Sequence, residues 1–184
     1  PVFLVLGAGA GIGGNVAKKF AKEGYHAVLV RRSDEKGLNS IVNDIKKSGG
    51  DATGFLINAI EDDAIEDLID NVEKNIGAIE VFLFNLGAQF GHKTLEDTSA
   101  KLFEIGWRLT SLALFRTAKK LAPIMEDRGG GKILVTSATS AMRGNAGQHA
   151  HAAALGGRRL LRQTLNAELS IKGIHVCHIY IDAM

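Results

Sequence analysis

Val2-Phe3-Leu4-Val5-Leu6-Gly7-Ala8-Gly9-Ala10-Gly11-Ile12-Gly13-Gly14 is an uncharged apolar run that breaks into five glycines within eight positions. Branched and aromatic residues from Val2 to Leu6 suit a parallel strand covered on both faces, and the small residues after them let the backbone turn sharply and approach a ligand. Behind the loop, Val16, Ala17, Phe20 and Ala21 share one helical face and Gly24 stops the helix. A strand, a glycine loop and a helix N-terminus together make a site for a pyrophosphate, because free backbone N–H groups and the helix dipole point at it. Two registers compete. Gly9, Gly11 and Gly14 fit G-x-G-x-x-G, but a strand ending at Leu6 starts the turn at Gly7 and favours Gly7, Gly11 and Gly13.

Outward from this stretch, strand-like and helix-like segments alternate six times. The strands are read at 2–6, 26–30, 53–57, 79–84, 132–137 and 174–181, and the helices at about 15–24, 34–48, 61–76, 99–127 and 148–172. Acidic Glu61-Asp62-Asp63 suits a helix N-terminus, and Pro123 is expected to bend or tighten the last turns of the long helix. With 184 residues and no Pro- or Ser-rich linker, the pattern predicts one Rossmann-type, doubly wound α/β domain with three αβα layers.

Composition narrows the function. A net charge of +2 gives no electrostatic case for nucleic acid or an anionic membrane, and no apolar run reaches the length of a membrane span. Cys177 is the single cysteine, so no internal disulfide can form and a reducing cytoplasm is the expected compartment. The start at Pro1 and the stop at Met184 suggest that both ends of the natural protein lie outside this sequence.

Three motifs in order, Gly7-xxx-Gly11-Ile12-Gly13, Asn85-Leu86-Gly87, and Glu168-Leu169 running to Gly173-Ile174-His175-Val176, resemble the short-chain dehydrogenase/reductase family over nearly the whole chain. Leu6 stands where that family usually has threonine, and Phe84 where it has the first asparagine of its Asn-Asn-Ala-Gly motif. The resemblance implies a dinucleotide cofactor held by Gly7, Gly9, Gly11, Ile12 and Gly13, with Asn58 near the adenine and Asn85 and Gly87 against the adenosine ribose. Arg31-Arg32 ends the second strand where an NAD site normally carries an acid, and arginine there suits the extra phosphate of NADP; NADP(H) is expected over NAD(H).

The same resemblance implies hydride transfer between a nicotinamide and a carbonyl or alcohol, served by a Tyr-x-x-x-Lys pair, a serine and an asparagine. Here His151 replaces the tyrosine and Leu155 the lysine, while Arg108 stands for the asparagine. Ser137 is the nearest match to the serine, with Thr139 and Ser140 close behind. An imidazole can donate a proton near neutral pH, so His151 is a candidate acid; it is equally read as a structural histidine of the first helical turn. His149 and His151 point to different sides of a helix, which argues against a metal site. Asp182-Ala183 falls where the family has Pro-Gly, and the substrate-covering segment with a seventh strand is not in this sequence. The family's long helices pair between subunits, and Trp107, Leu114, Phe115, Leu160, Leu161 and Leu165 offer apolar surface for a homodimer or homotetramer. The leading function is therefore an NADP(H)-dependent oxidoreductase with a non-standard active site. Its rivals are a catalytically silent cofactor sensor or assembly protein and, less well matched, another pyrophosphate-binding enzyme on a similar fold.

Overall fold

The structure, a computed structural model, describes residues 1–87 and 90–181. Six parallel strands, β1 Val2–Leu6, β2 His26–Arg31, β3 Ala52–Leu56, β4 Ile79–Phe84, β5 Gly131–Ser137 and β6 Ile174–Tyr180, form one sheet in the order β3-β2-β1-β4-β5-β6. Helices α1 Ile12–Lys22, α2 Glu35–Lys47, α3 Ala64–Asn75, α4 Ala100–Trp107, α5 Ala113–Asp127 and α6 His149–Leu169 cover its faces. The chain winds outward from β1 to β3, crosses back to β4 beside β1, and winds outward again, so the order reverses between β1 and β4. In such sheets the crevice at the carboxyl ends of these two strands is where ligands bind.

Side-chain alternation along β1 builds two cores. Val2, Leu4 and Leu6 face one side, with Phe82 and Phe84 of β4, Ile69 of α3, and Leu114 and Leu121 of α5. Phe3 and Val5 face the other, with Ala17 of α1 and Leu38, Ile41 and Ile45 of α2, and the Phe3 ring stacks on Phe20 at 4.1 Å. An uncharged strand was thus the expected consequence of burial on both faces.

Differences from the sequence reading are local. β3 lies one residue earlier, leaving Asn58 two residues beyond it, and Asp34 and Asp63 both enter their helices in the left-handed region. Asp34 caps α2 by accepting the Gly37 N–H at 3.0 Å. The long helix is not uniform: Arg108–Leu112 is a π-helical turn between α4 and α5. Within it Thr110 and Ser111 are buried, and their hydroxyls each lie 3.2 Å from the Ala154 carbonyl of α6. Polar pairing across that contact takes the place of apolar packing, which the hydrophobic period could not reveal. Pro123 lies inside α5 without ending it. Leu114, expected on an outer face, is fully buried in the core, while Trp107, Phe115 and Leu160 are exposed and Leu161 and Leu165 pack partly against the core. Asp182-Ala183 lies outside the described residues.

Replacing the fully buried Phe82 by Ala should lower unfolding free energy by about 3–5 kcal/mol in urea titration, through lost transfer energy and the cavity left behind. Leu160→Ala, at a site 60% exposed, should stay within about 0.5 kcal/mol of the parent.

Candidate functional site

The glycine loop divides into positions fixed by the protein and positions left open. Gly7 closes β1: its N–H and that of Ala8 both donate to the Val30 carbonyl at 3.0 Å, and its φ of +93° lies in the left-handed region. A Cβ on Gly7 would stand 2.5 Å from the Asn85 carbonyl oxygen, and one on Gly13 would overlap the Gly7 carbonyl. Gly14 is equally confined, against the Gly9 carbonyl. A Cβ on Gly9 or Gly11, by contrast, would meet nothing within 4 Å. Chain packing therefore accounts for Gly7, Gly13 and Gly14, whereas Gly9 and Gly11 turn bare backbone toward open space. Helix α1 starts at Ile12 with no side-chain cap and no acid in its first turn, which leaves its positive end available to an anion.

Arg31 and Arg32 lie just past Val30, the residue that receives the loop N–H groups. The Arg31 guanidinium, held 2.9 Å from the Asp34 carboxylate, is largely covered, while Arg32 is exposed. Further along the same edge, Asn58 donates through its amide nitrogen to Glu61 at 3.0 Å, and its Oδ1 is buried with no hydrogen-bond partner among the described residues. Two arginines of the long helix hold the loop after it. Arg108 donates to the Ile60 carbonyl at 3.2 Å; Arg116 donates through Nη1 to the Glu61 carbonyl at 2.9 Å and grips Glu66 through Nε and Nη2, at 2.9 and 2.6 Å. The Arg116 guanidinium holds the Glu66 carboxyl below its usual range.

Across the switch point, Asn85 is a brace. Its amide nitrogen donates to the Gly7 carbonyl at 2.8 Å, its Oδ1 accepts from the Thr136 hydroxyl at 2.8 Å, and its backbone N–H donates to Leu6 at 2.9 Å. One side chain thereby ties together the carboxyl ends of β1, β4 and β5. One of its two amide N–H groups and one oxygen lone pair are engaged within the protein. Arg158 of α6 completes the brace. Only 2% exposed, it donates to the carbonyls of Leu86 at 2.6 Å and Thr136 at 2.7 Å, with its guanidinium 5.5 Å over the Phe84 ring. Sequence reading passed over this residue. The available signal was its place on the buried stripe Ala150, Ala154, Arg158, where a cation has no reason to be unless something binds it.

These residues surround a cleft of about 170 Å³ whose lining includes Ile12, Gly87, Ser137, Ala138, His151, Leu155, Arg158 and Ile181. Ser137 ends β5, but its Oγ is enclosed and has no hydrogen-bond partner among the described residues. Thr139 and Ser140 lie in the short 3-10 turn beyond it, and Ser140 donates to Gln148 at 3.3 Å. His151 sits half-buried on the first turn of α6, and Leu155 is buried one turn later. The structure thus brings Ser137, His151 and Leu155 to one cleft, together with Ile12 and Gly87. Arg108 does not line it: its guanidinium is engaged at Ile60 and approaches Glu104. Among the described residues no group of three or more His, Cys, Asp or Glu side chains is placed to hold a metal ion.

An open parallel sheet with a glycine loop at its switch point defines a Rossmann-type α/β protein built for a nucleotide. The sequence model of the short chain dehydrogenase family matches residues 1–183, and the chain belongs to the short-chain dehydrogenase/reductase family. It is similar to the 3-oxoacyl-[acyl-carrier-protein] reductase of Staphylococcus epidermidis, 29% identical over 94% of this chain and 70% of the relative. A short-chain dehydrogenase from Rhodopseudomonas palustris superposes with a TM-score of 0.93 at 34% identity, over 99% of this chain and 84% of that one. A 7α-hydroxysteroid dehydrogenase, solved with NADH and 7-oxo glycochenodeoxycholic acid, superposes with a TM-score of 0.90 at 26% identity, over 97% of this chain and 69% of that one.

Gly7→Ala should destabilise the fold by about 2 kcal/mol or more, since both its φ and the Asn85 carbonyl oppose a side chain, whereas Gly9→Ala should leave the urea midpoint nearly unchanged. His178 on β6 offers a second check. Burial, reinforced by Arg158, Arg162 and Arg159, pulls its pKa down from 6.5 to about 4. The unfolded chain then binds a proton that the folded one refuses, so stability is full above pH 6.5 and falls as pH drops toward 4. Denaturation midpoints measured between those values should fall less steeply in His178→Phe.

Proposed function

We propose that this protein is an NADP(H)-dependent oxidoreductase of the short-chain type, reducing or oxidising an as yet unnamed carbonyl or alcohol, and that cofactor binding is its primary property. The observation that carries this reading is the open face at Gly9 and Gly11 beside the uncapped start of α1, a cradle that any Cβ would fill. The buried, unpartnered Oδ1 of Asn58 fits the same group, because an adenine amine is a donor. Arg32, exposed at the end of β2, and Arg31, fixed by Asp34, would take the 2′-phosphate. The solved 7α-hydroxysteroid dehydrogenase carries NADH, so the choice of NADP(H) rests on these two arginines and not on likeness.

When bound, the nicotinamide supplies or accepts a hydride. The chain's own part is to shape the second half of the cleft and to move a proton at the reacting oxygen. His151 would do so, through an imidazole N–H that protonates the oxygen as a carbonyl is reduced and takes the proton back in the reverse direction; its position in the cleft lining supports this role. Ser137 would help only if its enclosed Oγ became accessible to that oxygen. The loss of a lysine cation at Leu155 also favours a second reading, a cofactor-binding sensor or assembly protein without turnover. The single cysteine supports a cytoplasmic site, and the exposed Trp107, Phe115 and Leu160 support pairing of the long helices in a homodimer or homotetramer.

Changing Arg31 and Arg32 together to Ala should weaken NADPH binding at least tenfold relative to NADH; an unchanged ratio would defeat the assignment of the 2′-phosphate site. His151→Phe should lower kcat by about 10²-fold or more with any carbonyl compound that supports turnover. An unchanged kcat rules His151 out as proton donor, and no turnover across ketones, aldehydes and quinones in a chain that binds NADPH moves the reading to the silent sensor.

A further inference from the structure

Arg158 presents a buried charge that no carboxylate among the described residues neutralises. Its terminal nitrogens meet the neutral carbonyls of Leu86 and Thr136, its Nε has no partner, and no carboxylate pairs with it among the described residues. Arg158, Arg162 and Arg159 of α6 all add positive potential at His178 on β6, so this side of α6 is rich in cations. Burial lowers the Arg158 pKa to about 10, which still leaves the guanidinium protonated at neutral pH. It lines the floor of the cleft shared by Gly87, Ser137, His151 and Leu155, at the ends of β4 and β5. That is the half of the site beyond the switch point, opposite the half bounded by Arg31 and Asn58.

We propose that the fixed positive charge of Arg158 makes this cleft discriminate between the redox states of the cofactor, holding the neutral dihydronicotinamide in preference to the positively charged oxidised ring. This inference rests on the cofactor reading above and goes beyond it by assigning the preference to one side chain. The physical reason is that a ring carrying a unit positive charge, brought into a partly desolvated cleft beside a second cation, meets repulsion that the reduced ring does not. The two hydrogen bonds to strand-end carbonyls keep the guanidinium from swinging away to relieve it. The rest of the dinucleotide is the same in both states, so the preference belongs to the ring alone. A protein biased in this way stays loaded with reduced cofactor, which suits the sensing of NADPH.

The test is a calorimetric comparison of NADPH, NADP⁺ and 2′-phospho-ADP-ribose, which has no nicotinamide, on the parent chain and on Arg158→Met, Arg158→Gln and Arg158→Lys. The parent should bind NADPH at least about tenfold more tightly than NADP⁺, the effect of a unit charge acting over about 12 Å at an effective dielectric constant of about 20. The preference should vanish in Arg158→Met and Arg158→Gln and survive in Arg158→Lys. Binding of 2′-phospho-ADP-ribose reads structural damage, because it engages the half bounded by Arg31 and Asn58 and places no ring in the cleft. Equal affinity of the parent for the two redox states overturns the proposal even if no variant folds. So does a parallel loss of all three ligands, which would make Arg158 a structural brace only. If the parent binds none of the three, the cofactor reading itself fails and takes this inference with it.

Discussion

The structure depends on one close approach. At the end of β1 the Gly7 backbone passes so near the Asn85 carbonyl at the end of β4 that no side chain fits between them. This is the place where the winding order of the sheet reverses, and the contact fixes the width of the crevice that opens there. Asn85 then fastens the arrangement with its amide, reaching Gly7 on one side and Thr136 on the other. Arg158 extends the fastening to α6 through the carbonyls of Leu86 and Thr136. The loop that leads into α1 is open because its foundation is tight: Gly13 and Gly14 press the helix onto the loop, and Gly9 and Gly11 are left facing outward.

Two halves with different chemistry meet at that contact. On the β1–β3 side, backbone N–H groups, two arginines and an unpartnered Asn58 oxygen are assembled around a loop that Arg108 and Arg116 hold in place. On the β4–β6 side the cleft is small and lined by Leu155, an enclosed Ser137 and half-buried His151, over a buried guanidinium. Chain packing, dipole and charge favour an anionic, donor-bearing ligand in the first half. In the second, the positive charge sits three residues further along α6 than the lysine implied by the family resemblance, and it is tied to the protein rather than offered to a ligand.

Much of this was legible in the sequence because the signals are local and obey simple periods. An uncharged strand of branched and aromatic residues feeding five glycines admits few structures, and six alternations of strand and helix leave only the winding order to be found. Departures from the family pattern were also readable as single letters, at His151 and Leu155 in the cleft and at Arg108 outside it. What stayed hidden depends on contacts between distant segments. The bracing role of Asn85 is one example: only the paired geometry of β1, β4 and β5 shows its amide bonded to Gly7 and Thr136. Arg158 reads as one more surface arginine in Arg158-Arg159, since nothing in the sequence says that carbonyls from two strands converge on it. The π-helical turn at Arg108–Leu112 and the burial of Leu114 likewise follow from how α5 crosses α6 and the sheet, which a helical period alone does not encode.

The claim that joins the two halves is that the open glycine loop at the switch point binds a dinucleotide carrying a 2′-phosphate. Calorimetric titration of the chain with NADPH tests it most directly. The account predicts a saturable heat with one site per chain and a weaker isotherm for NADH; the absence of any saturable heat with NADPH would contradict it.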